Sequence, residues 1–418
     1  MLALLPTEYW ECRFSDIIRG LSAALSPGDQ RETIEIPRLG PCLPARSARA
    51  AIVTALQALD LPPGARIGVP LYCCPVVFKA IKAAGCIPRF IDVDAATFCM
   101  SVADLSAKRS EVDAIIAVHM FGNVCDVPAL LDAVPGKPIV EDCAQSLGSK
   151  LEGRMAGSLG TIAVFSFRSG KYLSVGEGGA LFASCPELRA RLSQLISALP
   201  APGRAIECAH VAKTLLRSLL RRRPLYGPVG YPLWEFYNRK VDYASKCPLV
   251  LTQMYCADLA VAQQRLSWLD SAIEAQRANA DHYSRLLKVD PSILCAEPPG
   301  MFYNRYLYPV TFPEPEHRDY VAARLRRRGI DTIKHLEEIV KVAKTYYGYA
   351  GDCPVTEHLA KRVLILPSYY TLSRRDIERI AEHFNTAWAE IQPACLENAT
   401  CLRTPRLKRV GSFSAMGD

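Results

Sequence analysis

The sequence predicts an α/β protein: a three-layer, mostly parallel sheet with helices on both faces, followed by a smaller C-terminal α+β domain. Three observations carry this. Between about Ala50 and Ser184, short β-branched runs alternate with stretches whose apolar residues recur every three or four positions, the strand–helix–strand rhythm of a doubly covered sheet. That rhythm stops between Pro200 and Lys246, where Pro202, Pro224, Pro228 and Pro232 surround the basic run KTLLRSLLRRR. A long helical pattern and a second group of shorter elements then follow.

Taken in order, strands are predicted at Arg66–Pro70, Arg89–Asp92, Ala114–Val118, Pro138–Glu141, Ile162–Phe167 and Gly179–Ala183. Helices fill Ala50–Leu59, Val76–Ala84 and Val127–Ala133 between them. Residues 200–246 read as an insertion. Beyond it come a helix from Tyr255 to Leu287, a strand in YLYPVTF from Tyr306, and a helix from Arg318 to Arg328. The last helix is introduced by Ser373 with Asp376 three residues on, the spacing of a capping box. From about Cys395 the tail mixes polar and basic residues without period and is expected to be loose.

Composition bounds the function. The chain of 418 residues is 50% hydrophobic, enough for a large core and unlike a disordered chain. Its formal charge of +8 is mild for this length, and no zinc-finger spacing or aromatic RNA-binding pattern accompanies it, so nucleic acid is not the expected partner. Sixteen cysteines are scattered without a CxxC pair, which favours reduced thiols over disulfides, zinc or an iron–sulfur cluster, and no metal is expected. The start MLALLPTEYW does not read as a signal peptide, and no apolar run reaches the ~18 residues that span a bilayer. A cytoplasmic protein is the expectation.

Ligands of open parallel sheets sit beyond the carboxyl ends of the strands, which directs attention to three segments. VEDCAQS sets Asp142 and Gln145 three apart immediately after a strand; a carboxylate there can pair with a protonated ring nitrogen, or simply cap a helix. In FSFRSGKYLSVGEGGAL a strand delivers Ser166, the chain turns through Ser169 and Gly170, Lys171 follows, and the Gly176–Gly179 turn opens another strand. A hydroxyl and turn amides suit a phosphate, and a lysine in a partly desolvated pocket becomes a nucleophile, although most lysines are solvated surface charges. SARAAI opens a helix at Ser47, where free backbone N–H groups attract phosphate; an ordinary Ser47 cap is the plainer reading.

Together these segments resemble the DegT/StrS-type nucleotide-sugar aminotransferases, a family of fold-type-I pyridoxal-phosphate enzymes. The likeness runs from about Ser47 to Ala387 and includes VPLYCCPVV, PRFIDVD, VHMFGNVCDV, VEDCAQSLGS, FSFRSGK, GEGGAL, RRGIDT and VLILPSYYTLS in family-like order. The resemblance implies pyridoxal 5'-phosphate as cofactor, with Lys171 holding it as a Schiff base and moving the proton. Asp142 would keep the pyridine nitrogen protonated, Gln145 would contact the ring, and Ser166 with the backbone of Ala48 and Arg49 would bind the phosphate. It also implies an amino-acid donor, glutamate above all, a nucleotide-linked keto sugar as acceptor, and a homodimer. An aromatic that stacks on the ring in the family falls at Cys74, and glycine is usual where Ala48 stands.

On this reading residues 1–46 form a divergent N-terminal segment and 47–254 the large cofactor-binding domain with its insertion. Residues 255–394 make the small domain and 395–418 the tail. Two rivals are a pyridoxamine-phosphate sugar dehydratase, which Lys171 and the scattered cysteines oppose, and a non-catalytic partner- or membrane-binding protein. The basic helix at 213–223 is the best support for the second, though such a helix more often lies over its own apolar stripe. His119, beside the presumed pocket, reads more readily as a structural histidine, Arg168 is as much a surface charge as an anion contact, and His335 is left outside the site.

Overall fold

The structure, a computed structural model, describes residues 4–26, 33–240 and 248–401. Along the chain the strands are β1 (Ile34–Ile36), β2 (Gly40–Ala45), β3 (Arg66–Pro70), β4 (Ile87–Ile91), β5 (Ala114–Val118), β6 (Ile139–Asp142), β7 (Lys150–Leu151), β8 (Arg154–Met155), β9 (Ile162–Ser166), β10 (Gly179–Phe182), β11 (Met301–Phe302), β12 (Tyr308–Thr311), β13 (Ile333–Lys334) and β14 (Val363–Leu366). The helices are α1 (Phe14–Leu25), α2 (Ala48–Ala58), α3 (Pro75–Ala83), α4 (Val102–Ala107), α5 (Val127–Ala133), α6 (Pro186–Ser197), α7 (Arg204–Arg221) and α8 (Tyr231–Lys240). They continue with α9 (Cys256–Leu266), α10 (Leu269–Leu286), α11 (Pro315–Arg327), α12 (Ile339–Tyr347), α13 (Pro354–Leu359) and α14 (Arg374–Cys401).

The main sheet runs β1-β2-β10-β9-β6-β5-β3-β4. Its strands β4, β3, β5, β6 and β9 are parallel, while β10 and β2 add antiparallel edges. Every residue of AIIAV in β5 is buried, because helices cover both faces and leave no side of the strand for a polar residue. The large core also takes in α2, α3 and the apolar side of α9 and the start of α10, as far as Ile273. A second core, from Ala280 onward, fills the space between the antiparallel sheet β12-β14-β13 and helices α11 and α14. Both cores draw on the chain beyond α10: Ile339, Ala343, Cys353 and Leu359 belong to the first, and β14 gives Val363 and Ile365 to the first and Leu364 and Leu366 to the second.

Several sequence expectations are corrected. The helix expected from Tyr255 to Leu287 is two helices, broken at Ser267 and Trp268, where the Trp268 backbone leaves helical geometry and its ring lies 4.4 Å beneath the Arg13 guanidinium. Apolar periodicity continues across the break, which is why it does not reveal it. The strand expected to reach Asp92 stops at Ile91: the Asp92 carboxylate instead accepts N–H bonds from Val355 and Thr356 and the Thr356 hydroxyl, each at 2.8 Å. The strand expected from Tyr306 starts at Tyr308, because the Tyr306 amide is held by Asn304 Oδ1 at 2.9 Å and its ring enters the cleft described below. The tail expected to loosen at Cys395 stays helical to Cys401. Ser373 caps the last helix: Asp376 N–H donates to Ser373 Oγ at 3.2 Å, and the hydroxyl in turn donates to Asp376 Oδ2 at 2.7 Å.

The N-terminal residues are part of the fold. Leu5 donates to Gly329 O at 2.9 Å and accepts from Asp331 N at 3.0 Å, adding a bridge beside Ile330. The chain then crosses to the large core, where buried Arg265 donates to Glu11 O, to Asp16 Oδ2 and to Ser174 O.

Candidate active site

The parallel strands β9 and β6 end at one edge of the sheet, and the antiparallel β10 begins there, so their flanking residues converge. Gly179, first in β10, pairs with Ala45 on one side and Ser166 on the other. Two strand positions away Val164 pairs with Asp142, the last residue of β6. Ser166, Asp142 and the start of α2 thus line a single rim, and the 167–178 loop between β9 and β10 brings Lys171 over it.

That loop is a folded turn. Phe167 N–H bonds to Gly178 O (2.9 Å), Ser169 N–H to Gly176 O (3.0 Å) and Lys171 N–H to Arg168 O (2.9 Å). Gly170 has φ +90°, in the left-handed region, and a Cβ there would lie 2.7 Å from Trp10 Nε1 and 3.0 Å from Glu8 Oε2, so only glycine lets the N-terminal segment close against the loop. Lys171 itself has its ammonium 4.7 Å from the centre of the Tyr306 ring. Burial, then the charge of Arg168, lowers its pKa to about 8, so a substantial part of the amine is neutral near physiological pH.

Asp142 is buried, and its Oδ1 accepts the Ala144 N–H at 3.0 Å. Burial raises its pKa while the Lys171 charge opposes the rise. The Cys74 thiol, at the start of α3, is raised by burial, with the charges of Arg168 and Lys171 opposing the rise. Gln145 uses its carbonyl to accept the Phe121 N–H at 3.1 Å, fixing the side chain at this rim.

His119 holds the strand ends together. Its Nδ1 accepts the Cys125 N–H at 3.0 Å, so Nε2 carries the hydrogen and donates to Glu141 at 3.0 Å, and both residues are fully buried. Glu141 also takes N–H bonds from Gly157, Leu159 and Gly160. Burial alone would raise this carboxyl; the His119 bond and the backbone donors outweigh it and hold it below the usual range. Cys143 lies close enough to complete a three-ligand cluster, but the lone pairs of His119 and Glu141 are already engaged within the protein, and the group reads as a structural lock.

At the other end of the rim Ser47 caps α2 through Ala50 N–H (3.3 Å), leaving Ala48 and Arg49 in its first turn. A Cβ on Gly179 would meet Phe165 O at 2.6 Å and Ala48 N at 2.9 Å, so this glycine is what lets the helix start approach the β9 edge. Ser166, half-buried, stands beside it. A helix start, a hydroxyl and a glycine that clears the space form a phosphate cradle. With an amine of lowered pKa and a buried acid beyond it, the donor set fits a phosphorylated pyridine aldehyde.

Other groups at the site were invisible to local reading. A cleft of about 440 Å³, mouth included, is lined by Glu8, Tyr9, Lys171, Gln276, Tyr306 and Tyr370 among others. Tyr306 donates to Gly170 O at 2.8 Å. His335, left outside the site above, packs its ring on Phe121 (4.8 Å) and Tyr72 (5.6 Å), and burial followed by the Lys171 charge lowers its pKa to about 3. It is a neutral ring near the lysine. Nothing in the spacing of these residues announces the site, because they come from opposite ends of the chain.

The profile of the DegT/DnrJ/EryC1/StrS aminotransferase family matches residues 39–205 and 240–385, leaving 206–239 between the two matched blocks. A dTDP-4-dehydro-2,3,6-trideoxy-D-glucose 4-aminotransferase of Saccharopolyspora spinosa is 28% identical over 82% of this chain and 83% of its own. GDP-perosamine synthase of Escherichia coli O157:H7 is 26% identical over 81% and 84%. In fold, the chain superposes on the crystal structure of the aminotransferase TlmJ from Streptoalloteichus hindustanus with a TM-score of 0.72 and 21% identity, covering 93% of this chain and all of that one.

Proposed function

Since the chain belongs to the DegT/DnrJ/EryC1/StrS aminotransferase family, whose members are pyridoxal-phosphate transaminases, we propose that it moves an amino group from an amino acid, glutamate foremost, to a keto sugar carried on a nucleotide. The observation that carries the site assignment is Lys171: an amine with a pKa near 8, held over a rim that ends in a buried acid on one side and a helix start on the other.

Bound there, the cofactor supplies an electron-withdrawing ring that stabilises negative charge on the substrate carbon. Lys171 is the residue to hold the cofactor covalently and, once released, to move the proton at the substrate carbon with its Nζ. Asp142 is the counter-charge for a protonated ring nitrogen. Gln145 orients the ring edge, and Ser166 with the first amides of α2, at Ala48 and Arg49, takes the phosphate. Cys74 leaves one ring face without aromatic stacking. Tyr306 and Glu8 line the cleft beside the lysine. Relatives acting on dTDP- and GDP-linked sugars support a nucleotide sugar as acceptor, and the family likeness supports a homodimer.

The test is an absorbance spectrum of purified protein with and without glutamate. A yellow band that bleaches with the donor, and is missing from Lys171→Ala, is the expected result; near-normal turnover by Lys171→Ala would refute the assignment.

A further inference from the structure

Helix α7 buries several polar groups beside one apolar contact, Val211 in a small cluster with Ala24 and Ala257. The side it turns to the protein carries Glu207, His210, Ser218 and Arg221, and each is held: Glu207 accepts from Cys256 and Ala257 N–H (3.2 and 3.1 Å), His210 pairs with Asp258 (2.8 Å), Ser218 donates to Trp10 O (2.7 Å), and the Arg221 guanidinium lies 4.4 Å from the Trp10 ring. The side it turns outward, at positions 206, 209, 213 and 216, reads Ile, Ala, Lys, Leu. Ile206 is 59% and Leu216 57% exposed. An ordinary surface helix turns side chains such as these two to its core.

The pattern continues past the helix. Leu225, Val229, Leu233 and Phe236, again three or four apart, are all exposed, as is Trp234 beside them. Neighbouring α1, which packs on α7 through Gly20 and Val211, exposes Phe14, Ile18 and Leu25. All of α7's outer face from Ile206, and the stretch after it to Phe236, falls in the gap between the two family-matched blocks.

Charge decides what covers it. Lys213 sits within the outer stripe with Arg204 before it, while Arg217 leans back to 5.2 Å from the Trp10 ring; of the acids, Glu207 is buried underneath and Glu235 alone falls in the segment that follows. A second copy docking the same patch on itself would bring those cations face to face. We propose that the outer face of α7 and of the Leu225–Phe236 segment is a docking surface for an anionic lipid bilayer, lying in the headgroup region with leucine, tryptophan and phenylalanine inserted and the cations among the phosphates. No helix of the described residues is long and apolar enough to cross a membrane, and surface docking requires none.

The experiment is flotation of the full-length protein with vesicles of phosphatidylcholine alone and of phosphatidylcholine mixed equally with phosphatidylglycerol, at low and high salt. Binding to the mixed vesicles only, weakened by salt, is expected. Leu216→Glu and Leu233→Glu should each weaken it about tenfold, the loss of one buried leucine, and Arg204→Glu with Lys213→Glu should remove the low-salt binding. Near-ultraviolet absorbance of the bound cofactor checks that each variant is folded. Absence of flotation at low salt overturns the proposal, as does binding unchanged by every substitution. So does a wild-type oligomer that stays off vesicles and is split to smaller mass by Leu216→Glu, which would assign the face to a second copy.

Discussion

Lys171 gains its reactivity from its surroundings, and those can be titrated. With its pKa near 8, the fraction of neutral amine rises roughly tenfold between pH 7 and pH 9 and then levels. The rate at which protein stripped of cofactor recaptures pyridoxal phosphate should follow that curve; a rate still climbing beyond pH 10 would mean an ordinary, solvated lysine. Asp142→Asn should leave the protein folded and slow transamination on the order of a hundredfold, as loss of a preorganised charge does, measured as kcat in steady state. Both residues were legible in the sequence because strand, turn and polar residue follow one another within a few positions. Glu8 and Tyr306 were not: their roles come from closing on Gly170 from opposite ends of the chain, a contact no local pattern encodes.

Among the elements, the most exacting contact is between α2 and β10. Gly179→Ala puts a methyl where Phe165 O and Ala48 N leave no room, and the neighbours are backbone that cannot swing aside. The expected outcome is a shifted α2 start and an affinity for pyridoxal phosphate weakened about tenfold or more, read by fluorescence titration, with a smaller effect on thermal stability. The end of β6 offers a contrasting case. Glu141→Ala would strand three backbone N–H groups and the His119 ring in a dry interior, and should cost about 3–5 kcal/mol in urea unfolding. The Glu141 carboxyl is held below its unfolded pKa, so its contribution is full above the usual carboxylate range and fades as the pH falls through it. Strand positions were readable from apolar runs, and β3 and β5 match residue for residue. The break at Trp268 was not, since a helix can stop without interrupting its apolar period when a cation and a ring supply the corner.

For the molecule as a whole, parts of the chain far apart in sequence are joined within the large core by a few polar ties. Asp92 is one, gripping the first turn of α13 from the end of β4. Asp92→Ala should cost about 1–3 kcal/mol for the donors it orphans, and show as a lower midpoint of urea unfolding with faster proteolytic cutting near residues 350–360. The layered α/β class was predictable because alternating periods report covered sheets. The route by which the chain's beginning joins its end was hidden, since a single bridge at Leu5 leaves no periodic trace.

That bridge also orders events at the ribosome. The first residues leave the tunnel long before Ile330, their docking site, has been made, an interval of tens of seconds at ordinary elongation rates. Until then that wall of the cleft is held only through Trp10 and Glu11, and its Leu5 end has nothing to attach to. Completion of that wall belongs to the final third of translation, and an affinity tag fused ahead of Met1 would have to leave this late docking step undisturbed.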